Sequence, residues 1–275
     1  MNFRNKVVLI AGGSGGIGSV IADYFCRAGA KVIILGRSRR LLKIVAYKIK
    51  KEGGLVDFKT VNISNLNETS QVVRGIQKKY GFIDVLVNAA GIQEPIGSFV
   101  ENDLGQWRKN LEVNLLGTVF LCQLILPAMI KRRSGSIINF SGGGSTSSRT
   151  NFSAYAVAKT GVVRFTEILA DELKKYRIRV NAIAPGAVNT KMLKEVLRAG
   201  ARAGAEELAS AKKRSKIGGA PPEKAAELVL FLASDKSKPL SGRLISAVWD
   251  DWQGWRKSDL KKIMKSDKLT LRRIK

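Results

Sequence analysis

The stretch near the N-terminus constrains the fold most. An apolar run, Val7-Val8-Leu9-Ile10, passes directly into Ala11-Gly12-Gly13-Ser14-Gly15-Gly16-Ile17-Gly18. An amphipathic segment follows through Ala28, Gly29-Ala30 ends it, and a second apolar run spans Lys31 to Leu35. This order reads as a β-α-β unit, since two parallel strands need a crossover, usually a helix. Glycines in such a first turn let the backbone approach a pyrophosphate, which then rests on the free N–H groups of the helix start. The spacing Gly12-x-x-x-Gly16-x-Gly18, in its strand–turn–helix context, predicts a dinucleotide site built on Gly12, Ser14, Gly15, Gly16, Ile17 and Gly18. The plainer alternative is a glycine turn with a purely structural role.

The alternation continues along the chain. Further strands are expected over Leu55 to Val61, Val85 to Val87, Ser136 to Phe140, Arg179 to Ala184 and Leu244 to Ser246. Helices are expected over Arg39 to Glu52, Leu66 to Tyr80, Asn102 to Ile130, the region of Tyr155 to about Tyr176, and Pro222 to Ala233. Strands alternating with helices across short loops predict a single-domain α/β fold, a doubly wound parallel sheet covered on both faces. Ligands of such sheets bind beyond the carboxyl ends of the strands, where Gly12, Arg37, Asn88, Ser141 and Pro185 all fall.

Composition removes several chemistries. The chain of 275 residues has no histidine and two cysteines, which excludes a Ser-His-Asp triad, a Cys-His pair and a zinc site; no metal is expected. Tyrosine, lysine and carboxylates remain as acid–base groups. Tyr155 and Lys159 are spaced i,i+4 on a segment with apolar residues at helical period, so phenol and ammonium share one face. A free phenol titrates near 10, and one neighbouring cation lowers that by about 1–3 units. Useful acid–base chemistry at neutral pH therefore asks for a second positive charge, which an oxidised nicotinamide ring would provide. The second strand ends in Gly36-Arg37-Ser38-Arg39-Arg40, without the acid that binds the adenosine ribose hydroxyls in an NAD site. A guanidinium suits a 2′-phosphate, so Arg37 points to NADP(H), with NAD(H) still possible.

Several ordered motifs over roughly residues 3 to 248 resemble the short-chain dehydrogenase/reductase family, whose fold is the Rossmann fold. Gly12, Gly16 and Gly18 match its cofactor loop. Asn88-Ala89-Ala90-Gly91 matches its Asn-Asn-Ala-Gly motif, and Asn114 its helix asparagine. Tyr155 and Lys159 match its Tyr-x-x-x-Lys pair, and Pro185-Gly186, with Val188 and Thr190, its nicotinamide loop. The family's aspartate near the adenine is here Asn62, followed by Ile63. The resemblance implies that Tyr155 is the acid/base, that Lys159 lowers its pKa and binds the nicotinamide ribose, and that Asn114 holds a water. One departure stands out. The family's catalytic serine lies thirteen positions before the tyrosine, and that position is Gly142, within Ser141-Gly142-Gly143-Gly144-Ser145. Ser141, Ser145 or the backbone N–H groups of this loop are the candidate replacements. A catalytically weak or inactive dinucleotide-binding protein, acting as a redox sensor or scaffold, is the alternative.

The net charge of +26 favours anionic ligands. Residues 190–220 resemble the family's substrate lid, and their lysines and arginines suit a 3-oxoacyl thioester on an acidic carrier, or a sugar or nucleotide sugar; a simply solvated lid is the alternative. The resemblance implies a homotetramer or homodimer. Nucleic acid is not an expected partner, because few aromatics interleave with the basic runs. Leu115 to Ile130 is broken by Gly117, Gln123 and Pro127, so no membrane span is expected, and the N-terminus lacks a signal-peptide pattern. A cytoplasmic protein is the expectation. Residues 249–275 form a separate Trp-rich segment and basic tail. Trp249, Trp252 and Trp255 suggest a subunit contact or a pocket lining; residues 256–275, with nine Lys/Arg and the stripe Leu260, Ile263, Met264, read as a surface helix, a disordered arm or an anion-binding extension.

Overall fold

The computed structural model describes residues 1–272, so the last three residues of the basic tail lie outside it. All seven expected strands form one parallel sheet: β1 Val7–Ala11, β2 Lys31–Gly36, β3 Val56–Thr60, β4 Val85–Asn88, β5 Gly135–Phe140, β6 Ile178–Ala184 and β7 Leu244–Ser246, in the order β3-β2-β1-β4-β5-β6-β7. β1 pairs with β2 on one side and β4 on the other, Ile10 lying opposite Ile34 and Val87. Strand order reverses between β1 and β4, which opens a crevice above their carboxyl ends.

The sheet is dry on both faces because its central strands are apolar throughout. Val8 and Ile10 join one core with α1 (Gly16–Arg27), α2 (Arg39–Lys51) and α9 (Pro222–Ala233). Leu9 and Ala11, one residue out of phase, join the other core with α3 (Leu66–Tyr80), α5 (Gly117–Arg132) and the end of α6 (Ser153–Leu173). The period of two in a strand makes this division.

The expected helix over Asn102 to Ile130 forms as α4 (Leu104–Leu111), a π-helical turn (Glu112–Leu116) and α5. Over Leu104–Arg132 it is continuous, long and apolar enough to match a membrane span by composition, which the interrupted run Leu115 to Ile130 did not suggest. Its apolar side, Leu121, Cys122, Ile125 and Met129, is instead buried in the core on one face of the sheet. The region expected to form a substrate lid, residues 190–220, folds as α7 (Lys191–Ala199), a short 3-10 turn and α8 (Ala205–Ile217).

The C-terminal segment is part of the same packing. Trp252 is buried within its own chain, 5.7 Å from the Phe231 ring, and its indole N–H donates to the Ala247 carbonyl. That corrects the subunit-contact expectation for Trp252; Trp255 is half-buried and Trp249 exposed. α10 (Lys257–Met264) buries Leu260 and Ile263 in the core of α1 and α9. The chain then returns to the edge strand, where the Leu244 N–H donates to the Leu269 carbonyl at 2.8 Å.

Candidate active site

α6 begins just before Tyr155, so its first turns stand above the carboxyl ends of β5 and β6. Tyr155 and Lys159 project from one face and are only 5% and 3% exposed. Lys159 Nζ lies 5.7 Å from the Tyr155 ring centre and donates to the Phe140 carbonyl at 2.8 Å, which anchors it to the end of β5. Burial lowers the Lys159 pKa to about 8. Burial also pushes the Tyr155 phenol up to about 12; Arg149 opposes this and Glu195 adds to it. At neutral pH Tyr155 therefore carries its proton and can donate it.

Gly91 keeps this corner open. A Cβ there would lie 2.7 Å from Asn114 Oδ1 and 3.6 Å from Lys159 Nζ. Asn114 sits in the π-helical turn, a feature frequent at functional sites. Its side chain is fully engaged: Oδ1 accepts from the Ile92 N–H at 3.2 Å, and Nδ2 donates to the Ile92 carbonyl at 2.8 Å and to Asn110 Oδ1 at 2.6 Å. Asn114 thus holds the segment after β4 beside Lys159.

At the expected serine position the structure places Gly142 directly against the tyrosine. A Cβ on Gly142 would run into the Tyr155 hydroxyl and come within 3.0 Å of its Cζ. Neither neighbouring serine meets that hydroxyl among the described residues. Ser141 extends the β5–β6 pairing through its N–H, and its hydroxyl is buried without a hydrogen-bond partner. Ser145 is buried, and its carbonyl accepts from Thr160 Oγ1 at 3.2 Å.

The expected cofactor residues gather along the crevice. Gly12 has φ +82°, and a Cβ on it would lie 2.7 Å from the Ala90 backbone, so β1 and β4 turns meet only because this residue is glycine. A Cβ on Gly18 would strike the Gly12 carbonyl. α1 starts after Gly15 with no side-chain cap and no acid in its first turn, which leaves N–H groups for an anion. Ile17 is half-buried against the core, and Ser14 Oγ would lie 2.9 Å from a Cβ on Gly36. Across the crevice, the Val188 N–H donates to the Gly186 carbonyl, and Thr190 Cγ2 would lie 3.1 Å from a Cβ on Gly16. Pro185 ends β6 beneath that loop. The resulting cradle is one that side chains would fill, and it fits a dinucleotide. Arg37 is exposed just past β2 and has no ion pair among the described residues. Asn62 is exposed and accepts from Ser64, while Ile63 is buried against Gly117. Asn88 serves the sheet: its Nδ2 donates to Asn139 Oδ1 at 2.9 Å, and Ala89 N–H donates to the Ala11 carbonyl.

The profile of the short chain dehydrogenase family matches residues 6–200. This chain is a short-chain dehydrogenase/reductase. The 3-oxoacyl-(acyl-carrier-protein) reductase of Thermotoga maritima is 36% identical over 245 residues, covering 89% of this chain and 97% of the relative. The fatty acyl-CoA reductase of Acinetobacter baylyi is 29% identical over 257 residues, covering 90% and 80%. Among solved structures, a variant of the actinorhodin polyketide ketoreductase with NADPH superposes with a TM-score of 0.81 at 28% identity, covering 90% of this chain and 97% of that one. Levodione reductase gives 0.82 at 26% identity, covering 89% and 96%. As a short-chain dehydrogenase/reductase, the protein is an oxidoreductase that acts between an alcohol and a carbonyl with a nicotinamide dinucleotide.

Sequence reasoning missed part of this short-chain dehydrogenase/reductase site. Arg149, Phe152 and Gln93 come from loops, and Met192 and Glu195 from α7; with Ile96 and Val196 the apolar members enclose Tyr155 in a small core of their own. The loop residues follow no period in the sequence, and only the fold brings them to the tyrosine.

Proposed function

We propose that the protein is an NADP(H)-dependent reductase of 3-oxoacyl thioesters, with Tyr155 as its acid/base. The observation that carries this reading is the buried Tyr155–Lys159 pair at the carboxyl edge of the sheet, beside a crevice lined by Gly12, Gly16 and Gly91. The bound nicotinamide would exchange a hydride with the substrate carbon. Tyr155 would give its phenolic proton to the carbonyl oxygen in the reductive direction and take it back in the other. Lys159, held by the Phe140 carbonyl, would keep a positive charge beside the phenol when protonated and retain donors for a ribose hydroxyl. Asn114, by fixing Ile92, would keep Gly91 from closing over that ammonium. Uncapped N–H groups at the start of α1 would bind the pyrophosphate, and exposed Arg37 would take the 2′-phosphate. The Thermotoga maritima relative, named for a carrier-linked 3-oxoacyl substrate, supports the thioester over a sugar, and the basic surface suits an acidic carrier. The assembly proposed is a homodimer or homotetramer, to be read by light scattering.

The test is NADPH consumption with acetoacetyl-coenzyme A, with Tyr155→Phe alongside. Turnover should fall at least about 100-fold in the variant, while NADPH binding by fluorescence titration is kept. Full turnover by Tyr155→Phe would remove the proposed role of the tyrosine.

A further inference from the structure

The loop that lacks the serine carries a cation in its place. Arg149 lies between β5 and α6, and its side chain passes over the glycines: a Cβ on Gly143 would be 3.7 Å from its Cδ and Nη1, and one on Gly144 would be 3.1 Å from its Cβ. Its guanidinium carbon stands 3.7 Å above the Phe152 ring centre and 6.0 Å from the Tyr155 ring centre. The same guanidinium is tied to the lid. Nη2 is 2.5 Å from Glu207 Oε1, and Nε donates to Oε2 at 3.4 Å. Glu207 belongs to the first turn of α8. Gln93, with its amide oxygen toward the arginine, accepts from Nη1 at 2.8 Å and Nη2 at 3.1 Å, and its nitrogen donates to the Met192 carbonyl on α7.

The charged groups around Tyr155 are few. Lys159 faces it from α6, Arg149 from the glycine loop and Glu195 from α7. Glu195 is paired with Lys191 at 3.5 Å and also feels Glu94. Glu207 reaches the tyrosine only through Arg149. The arginine side chain is 18% exposed, so solvent screens its charge weakly.

We infer that Arg149 is a positioning residue that supplies a second positive charge to Tyr155, and that Glu207 on the lid sets how much of that charge the tyrosine feels. With α8 seated, the carboxylate neutralises much of the guanidinium. When α8 lifts, Arg149 loses its counter-ion and the phenolate becomes more favourable. Gly144 helps make this possible: it has φ +90°, and a side chain there would crowd both Ala156 and the arginine stem, while Gly143 leaves only ordinary contact distance to the guanidinium. The inference rests on the reading of Tyr155 as acid/base.

The test is kcat/KM against pH with NADPH and acetoacetyl-coenzyme A. In the reductive direction the phenol must be protonated and Lys159 charged, so activity falls as pH rises through the titration of the pair, and both groups feel the Arg149 charge with the same sign. Arg149→Gln should move this limb to higher pH, and Glu207→Gln should move it to lower pH, each by about 1 unit. Arg149→Lys should keep the limb near its wild-type place. A purely structural ion pair would act otherwise, because both glutamine variants break the same bridge and loosen the same helix. Limbs that shift in the same direction, or that do not move, overturn the inference. If Arg149→Gln does not fold, Glu207→Gln carries the test alone: a lowered limb supports the inference and an unmoved one overturns it. Tyr155→Phe separates the two readings. Full activity in that variant sinks the tyrosine reading and this inference with it; an inactive variant with unmoved limbs sinks this inference only.

Discussion

A buried lysine and a half-buried arginine stand at opposite ends of the same sheet and are treated differently. Arg179, at the start of β6, donates to the carbonyls of Leu232, Ala233 and Ser234 and to Ser237 Oγ, at 2.5 to 3.2 Å. Those carbonyls close α9 at its negative dipole end, beyond Leu230 and Phe231, whose carbonyls accept from the Ser234 N–H. Lys159, at the far edge, has a single described acceptor, the Phe140 carbonyl. Burial lowers both, Lys159 to about 8 and Arg179 to about 10, with Asp235 supporting the arginine. Both pKa values move the same way for the same reason, so the shift alone would not tell them apart. The number of described acceptors does: a cation with four locks a helix end, while one with a single acceptor, facing glycine, is ready for a ligand.

The largest effect should come from the lysine. Lys159→Met is expected to lower kcat/KM at least about 100-fold while leaving the fold intact by circular dichroism. Arg179→Met should do the reverse. It removes four hydrogen bonds and leaves the Ala233 carbonyl without a described donor, while Leu232 and Ser234 keep Ser136 and Ser237, so denaturant unfolding should show a loss of about 1–3 kcal/mol, with kcat per folded molecule unchanged. A large activity loss in the arginine variant would break the contrast.

Exposed Arg37 sharpens the comparison from a third side, as a cation with no described partner. Arg37→Ala should raise KM for NADPH about 10-fold and change KM for NADH little, because a charge-assisted hydrogen bond to the 2′-phosphate is absent in NADH. Equal effects on both cofactors would separate Arg37 from that phosphate.

The smallest effect is one of pH on stability. The folded Lys159 pKa of about 8 lies below the ordinary 10.5, so the folded state releases this proton first. The contribution of Lys159 is therefore complete above 10.5 and is lost as pH falls toward 8. Wild-type unfolding free energy, taken relative to Lys159→Met, should rise between pH 8 and 10.5 by at most about 1.4 kcal/mol per pH unit. Using the difference cancels the buried thiols Cys26 and Cys122, whose pKa values are raised by burial and which act with the opposite sign. A flat difference would place Lys159 in a wetter setting than its 3% exposure indicates.

Local chemistry along the chain was enough for the seven parallel strands, the glycine turn after β1 and the helical pairing of Tyr155 with Lys159. Each depends on residues a few positions apart, through periods of 2 and 3.6 and through the backbone freedom of glycine. The family motifs added an order to those pieces. The surroundings of the tyrosine were not legible in this way. That Gly142 rather than Ser141 or Ser145 meets the hydroxyl depends on how a loop after β5 packs on α6. That Arg149 reaches Glu207, 58 residues away, depends on where α8 settles. That Trp252 turns inward onto Phe231 depends on α9 and α10 sharing one core. Sequence determined the frame because strand and helix patterns repeat locally; only the tertiary structure decided the electrostatics of the site, because charges act through space between segments whose separation along the chain carries no signal.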